Sequence, residues 1–225
     1  MAASARTDAL GARIPLPAVM CASGVVAVLR ARDAAQYLPV VRALAAGGVR
    51  SIELTLTTAG AIEELPRLRA ALGEQAEFGI GTVTSEADAA AAVDAGAEFI
   101  VTPNTDLAVI GLCVRRGVPV IPGGLTPSEL FAGWKHGASA VKLFPASTVG
   151  PDYLGQLRGP FPGLPVVPSG GVGADDAAAW IDAGAVAVSV GGPLLQDAFR
   201  GGDLDALTER ARRLVAAVRD RRGAR

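Results

Sequence analysis

Five times in this chain an alanine-rich, helix-forming stretch ends at a glycine and passes at once into a β-branched run. The joints are Ala46-Gly47-Gly48-Val49, Asp94-Ala95-Gly96-Ala97, Arg116-Gly117-Val118-Pro119, His136-Gly137-Ala138 and Asp182-Ala183-Gly184-Ala185. Glycine just past a helix end takes the left-handed conformation that closes it, so the next strand starts promptly. The reverse joint carries N-terminal capping chemistry. Thr126-Pro127-Ser128-Glu129 supplies a cap, a proline at the first helical position and a reciprocal acid, and Ser85 with Asp88 repeats the spacing. Eight runs read as strands: 25–29, 51–56, 78–83, 99–103, 119–122, 140–144, 166–169 and 186–190. Helical segments separate them, the sixth short (near 153–157) and the last running from about 203 to 219. Strict strand–helix alternation predicts a parallel sheet with helices outside. Eight such units in 225 residues predict an α/β fold that is a single closed (β/α)₈ TIM barrel. An open doubly wound sheet needs no eighth strand and no glycine-rich tips on the last two. Residues 1–22 read as an N-terminal arm or extra helix, and 23–225 as the barrel domain.

Composition narrows the function. Half of the residues are hydrophobic, 19% are charged and the net charge is −1, which gives no electrostatic reason to expect a nucleic acid or an anionic membrane as partner. No apolar run approaches the roughly 20 residues that cross a bilayer, and the first 22 residues lack the apolar stretch of a secretory signal. Two cysteines, Cys21 and Cys113, are too few for a disulfide framework, so the expected location is a reducing cytoplasm. One histidine and two cysteines argue against a zinc site; carboxylate-bound magnesium is excluded less firmly, and the reading takes no metal and no cofactor. Of the 21 basic residues only Lys135 and Lys142 are lysines. A chain so biased towards arginine keeps a lysine by accident or where arginine cannot serve.

Parity within the strands locates one such place. In Ser51-Ile52-Glu53-Leu54-Thr55-Leu56-Thr57 the apolar residues share one parity, so Glu53 faces the barrel interior with Ser51, Thr55 and Thr57. In Ala140-Val141-Lys142-Leu143-Phe144-Pro145, Val141 and Leu143 face the helices and Lys142 points inward. Opposite charges in one interior are costly unless paired or used. They either form an ion pair that only fixes strand register, or they do chemistry. A lysine amine desolvated in an apolar site can lose its proton and attack a carbonyl, which a guanidinium cannot do. The resulting imine draws electrons from a neighbouring carbon, so a carbon–carbon bond can break to leave an enamine. Glu53 would then shuttle protons as general acid and base, or serve only as counter-ion.

Other polar and small residues divide between site and scaffold. Ser169-Gly170-Gly171 ends the seventh strand and Gly191-Gly192-Pro193 follows the eighth, at the two tips that usually hold phosphate in such barrels. Paired glycines also make tight turns. Gly79-Ile80-Gly81-Thr82 lacks the third glycine of a dinucleotide fingerprint, and its glycines are expected to give a ligand room at the mouth. His136, Lys135, Trp134, Trp180 and Cys113 read as helix-end, surface or packing residues.

Together these residues resemble the class I 2-keto-3-deoxy-6-phosphogluconate (KDPG) and 4-hydroxy-2-oxoglutarate (KHG) aldolase family over about 25–218. The most specific pieces are Lys142-Leu143-Phe144-Pro145-Ala146, Glu53-Leu54-Thr55-Leu56, Gly79-Ile80-Gly81-Thr82-Val83, Val101-Thr102-Pro103 and Ser169-Gly170-Gly171-Val172. The resemblance implies a (β/α)₈ homotrimer that cleaves a 2-keto-3-deoxy sugar-acid phosphate to pyruvate and glyceraldehyde 3-phosphate. Cleavage of 4-hydroxy-2-oxoglutarate to pyruvate and glyoxylate is a common side activity of the family. It implies Lys142 as imine former, Glu53 as acid and base, Thr82, Pro103 and Phe144 around the pyruvate unit, and Gly170, Gly171, Gly191 and Gly192 on the phosphate. Many relatives carry a carboxylate-binding arginine where this chain has Thr57, and Arg30 is the candidate replacement. Relatives often have serine where this chain has Pro193, which removes a hydroxyl and an amide donor from the phosphate site. Ser169 matches the gluconate type, in which a hydroxyl contacts the substrate C4 hydroxyl. Phe144-Pro145-Ala146-Ser147 with Gly150-Pro151-Asp152-Tyr153 is similar to the galactonate type as well. Two other classes fit the residues: a metal-free sugar-phosphate isomerase with Glu53 as base, and a non-catalytic barrel that binds a sugar acid.

Overall fold

The structure is a computed structural model that describes residues 13–223; residues 1–12 of the expected arm lie outside them. The chain opens with α1 (Ala18–Ser23), then alternates: β1 (Val25–Leu29), α2 (Tyr37–Ala46), β2 (Ser51–Thr55), α3 (Ala61–Leu72), β3 (Glu77–Gly81), α4 (Glu86–Asp94), β4 (Phe99–Val101) and α5 (Leu107–Arg116). There follow β5 (Val120–Ile121), β6 (Gly123–Gly124), α6 (Pro127–Lys135), β7 (Val141–Leu143), α7 (Asp152–Arg158), β8 (Val166–Pro168), α8 (Ala174–Asp182), β9 (Val188–Val190), the single turn α9 (Gly192–Leu195) and the long α10 (Leu204–Gly223). Parallel pairing runs β5-β4-β3-β2-β1-β9 and β6-β7-β8, and a Ser169–Ser189 bridge joins β8 to β9. With β5 and β6 as two halves of one strand, the eight-strand barrel closes.

Local chemistry forms the elements as expected. A glycine with positive φ lies at each of the five joints: Gly48, Gly96, Gly117, Gly137 and Gly184. The capping box is present: Thr126 Oγ1 accepts from the Glu129 amide, and the Glu129 carboxylate accepts from the Thr126 amide at 2.8 Å. Ser85 Oγ accepts from the Asp88 amide.

The fifth strand departs from expectation. It does not stop at Pro122 but is broken there, β5 pairing with β4 and β6 with β7. Proline has no amide to give the ladder, so it falls at the break. Gly123 then passes so close to Pro103 that a Cβ would sit 2.5 Å from the Pro103 carbonyl carbon.

Strand parity sorts the core into two layers. Val25, Ala27, Leu29, Ile52, Leu54, Phe78, Ile80, Val141, Leu143, Val188 and Val190 pack against the helices. Val26, Phe99, Val101, Ile121, Ala140, Val167 and Ala187 fill the barrel with Met20 of α1. The Glu77 carboxylate of β3 accepts the Met20 and Val19 amides at 2.7 and 3.2 Å, which holds α1 to the barrel. Burial pushes the Glu77 carboxyl above the usual range, and the hydrogen bonds from the Met20 and Val19 amides act the other way.

Candidate active site

The site follows from where β2 and β7 stand around the barrel. Four strand steps separate them in either direction, so their inward side chains meet only across the axis. Two long side chains are needed to bridge that distance, and the sequence supplies Glu53 and Lys142. Lys142 Nζ lies 3.8 Å from Glu53 Oε1, an ion pair too long for a direct hydrogen bond. Both residues are buried, Glu53 at 1% and Lys142 at 8% exposure. They line one interior cavity with Met20, Phe99, Val167 and Ser189. Glu53 Oε1 accepts no hydrogen bond from any described residue. A buried carboxylate oxygen with an open lone pair beside an amine is equipped to take a proton brought by a bound molecule.

The glycines of β3 have a steric task within the protein itself. A Cβ at Gly81 would stand 1.9 Å from Glu53 Oε1, and one at Gly79 would stand 2.3 Å from the Phe99 ring. They make room for the protein's own side chains, above all for the Glu53 carboxylate. Thr82, the next residue, has φ of 61°. A β-branched residue in that region is strained by roughly 1–3 kcal/mol, a cost found mostly at functional sites.

The remaining candidates gather at the C-terminal ends of the strands. Phe144 is 38% exposed, with Lys142 Nζ 5.4 Å from its ring centroid. Pro103 is half-buried against Gly123. Ser169 is buried, and its Oγ donates to Ser189 Oγ at 3.3 Å. Gly170 and Gly171 have φ of 87° and 82°. A Cβ on Gly171 would stand 2.6 Å from Ser147 Cβ, and one on Gly170 would stand 3.0 Å from the Phe144 ring. The amides of Gly170, Gly171, Gly191 and Gly192 meet no acceptor among the described residues. Arg30 is exposed just beyond β1, with no hydrogen bond or ion pair to another described residue. Thr57 is exposed, its hydroxyl 3.0 Å from that of Thr55.

The scaffold residues fall where expected. His136 is exposed at the end of α6, its Nδ1 2.8 Å from the Ala132 carbonyl. Trp180 is buried and donates to Asp176, and Trp134 lies under the Arg13 guanidinium at 3.5 Å. Burial pushes the Cys113 thiol up to about 11. No cluster of metal-ligating side chains occurs among the described residues. Ser189 was missed by the sequence reading; its only signal is its inward parity on β9. No helix of the described residues is long and apolar enough to cross a membrane.

A buried amine beside a buried carboxylate inside a barrel is an arrangement that carbon–carbon lyases of the imine-forming, class I kind can use. The chain is such an aldolase. A family model described as KDPG and KHG aldolase matches residues 17–210, and the chain belongs to that family. It is 35% identical over 203 residues to 2-dehydro-3-deoxy-phosphogluconate aldolase of Dickeya dadantii (strain 3937), covering 89% of this chain and 94% of the relative. It is 32% identical over 197 residues to 2-dehydro-3-deoxy-6-phosphogalactonate aldolase of Escherichia coli (strain K12), covering 87% and 94%. A crystal structure of KDPG aldolase from Legionella pneumophila, with pyruvate captured at low pH as a covalent carbinolamine intermediate, superposes with a TM-score of 0.79. The two are 28% identical, with 88% of this chain and 96% of that one covered.

Proposed function

We propose that this aldolase cleaves 2-keto-3-deoxy-6-phosphogluconate to pyruvate and glyceraldehyde 3-phosphate, with Lys142 as the imine former and Glu53 as the acid and base. The observation that carries the reading is the buried Lys142–Glu53 pair, 3.8 Å apart across the barrel axis. The Lys142 amine adds to the C2 carbonyl to give a carbinolamine, and Glu53 delivers the proton with which water leaves, giving an iminium. Glu53 then takes the C4 hydroxyl proton while the C3–C4 bond breaks. Its electrons pass to the iminium nitrogen, leaving an enamine and a free aldehyde. Protonation at C3 and addition of water release pyruvate and restore the amine. The acid–base role is typically worth about 10²–10⁴ in rate.

Thr82, Pro103 and Phe144 surround the pyruvate unit in this reading, and Arg30 reaches its carboxylate in place of an arginine at Thr57. The amides of Gly170, Gly171, Gly191 and Gly192 hold the phosphate, without help from Pro193. The hydroxyl of Ser169 meets the C4 hydroxyl, which favours the gluconate over the galactonate epimer, because a site built to hydrogen-bond discriminates better than an apolar wall. Cleavage of 4-hydroxy-2-oxoglutarate is the expected side activity. We further propose a homotrimer, in keeping with the exposed apolar residues Leu107 and Val114 of α5 and Phe131 of α6, and a reducing cytoplasm, in keeping with the free Cys21 and Cys113.

Intact mass after incubation with pyruvate and sodium borohydride, followed by peptide mapping, tests the assignment. The expected result is one reduced adduct on Lys142, absent without pyruvate and absent in Lys142→Arg. Folded protein that forms no adduct at saturating pyruvate refutes the role of Lys142.

A further inference from the structure

We propose that Arg210, on α10, is a positioning residue for the Gly191–Gly192 tip and thereby sets affinity for the phosphate end of the substrate; this rests on the phosphate role proposed above for that tip. Gly192 belongs to α9, a single turn of four residues that is too short to persist by its own hydrogen bonds. Its second position is Pro193, which has no amide. Its last turn closes at Gln196, a non-glycine residue held at φ of 49° while its amide donates to the Gly192 carbonyl at 2.8 Å. Leu194 and Leu195 anchor α9 in the core, but apolar packing gives their carbonyls no donor, and on one side the turn fronts a cleft of about 470 Å³ lined by Gly173, Pro193, Leu194, Gln196 and Leu214.

Arg210 adds a polar tether that fixes the orientation of the turn. Its Nε donates to the Leu194 carbonyl at 2.9 Å and its Nη2 to the Leu195 carbonyl at 3.4 Å. These are carbonyls at the end of a helix, where no intrahelical donor follows. The guanidinium forms no ion pair with a described carboxylate, so its fixed fork is committed to those two oxygens. Arg210 in turn stands on a firm base. Leu207, Ala211, Leu214 and Val218 of the same helix are buried, and the helix packs along α2 and α8. The arrangement ties the orientation of this strained turn to the rigid outer layer of the barrel. The glycine amides at its front keep their direction only while the tether holds.

The test compares KM and kcat for KDPG and for its unphosphorylated analogue in wild type, Arg210→Ala and Arg210→Lys. In Arg210→Ala, KM for the phosphorylated substrate is expected to rise roughly 3- to 10-fold, the scale of one hydrogen bond. Its kcat, and both constants for the unphosphorylated analogue, are expected to stay within about twofold by the same reasoning. Arg210→Lys keeps the charge and the stem but loses the fork, and should shift KM in the same direction by less. If both variants keep the wild-type ratio of the two KM values, or raise both KM values equally, the inference is overturned. If wild type itself shows equal KM for the two substrates, the phosphate role of the glycine tips fails first, and the role of Arg210 fails with it.

Discussion

Gly81→Ala is the sharpest test of how this site is built, because a single methyl group displaces the proposed acid–base residue without touching its chemistry. An ideal Cβ at Gly81 lies 1.9 Å from Glu53 Oε1, 2.4 Å from its Cδ and 2.5 Å from its Cγ. Real Cβ atoms essentially never approach a neighbour closer than 3.0 Å, so the carboxylate must move by at least 1.1 Å. The backbone at Gly81 is in a strand and outside the left-handed region, so alanine brings no φ strain of its own. Overpacking of this kind costs about 1–3 kcal/mol of stability. For a chain of this length that lowers Tm by roughly 2–12 °C. A displacement of about 1 Å in a catalytic group costs on the order of 10² in rate, within the 10²–10⁴ range of general acid–base catalysis. We therefore expect kcat to fall by roughly 10²–10⁴ while the protein stays folded. The assay is pyruvate release, followed through lactate dehydrogenase and NADH, alongside thermal unfolding. Glu53→Gln should cost about as much, and the double variant should be little worse than either, since both changes remove one function. Wild-type kcat in Gly81→Ala, or losses that multiply in the double variant, would refute the claim that Gly81 exists to seat Glu53.

The remaining predictions concern stability and thiol reactivity. Burial raises the Glu77 carboxyl above its unfolded value, so its contribution to stability is fully present below the unfolded pKa and is lost as pH rises through the folded one. Glu77→Gln, which keeps an acceptor for the Met20 amide, should thus gain more Tm over wild type at pH 7 than at pH 4; an equal offset at both would contradict the shift. Thr126→Ala removes the capping box of α6 and should cost about 1 kcal/mol, read as a Tm roughly 2–4 °C lower with kcat unchanged. A thiol reagent at pH 8 should modify the exposed Cys21 and spare Cys113, whose thiol is buried and pushed up to about 11. Two fast-reacting thiols in the native protein would show that Cys113 is not sealed in the helix layer.

The barrel and its two central residues were legible in the chain because they depend on short-range repetition. Period-two alternation within 51–57 and 140–145 is enough to send Glu53 and Lys142 inward, whatever the rest of the chain does. The glycines after the helices and the Thr126–Glu129 box likewise act over a few residues. What stayed hidden involves partners remote in sequence. That Lys142 and Glu53 stop 3.8 Å apart, that Gly81 is bare to admit Glu53, and that Ser189 receives the Ser169 hydroxyl are facts about side chains on different strands. The break at Pro122 depends on which neighbours each half of the strand pairs with. Met20 plugs the barrel beside Glu77, and Arg210 ties α9 to α10, through contacts that no local pattern announces. Alternation and capping determine which way a residue faces, because backbone sterics and hydrogen bonding act within a turn or a strand. How close two facing groups come depends on the closure of the whole barrel, since its radius and stagger are set jointly by all eight strands.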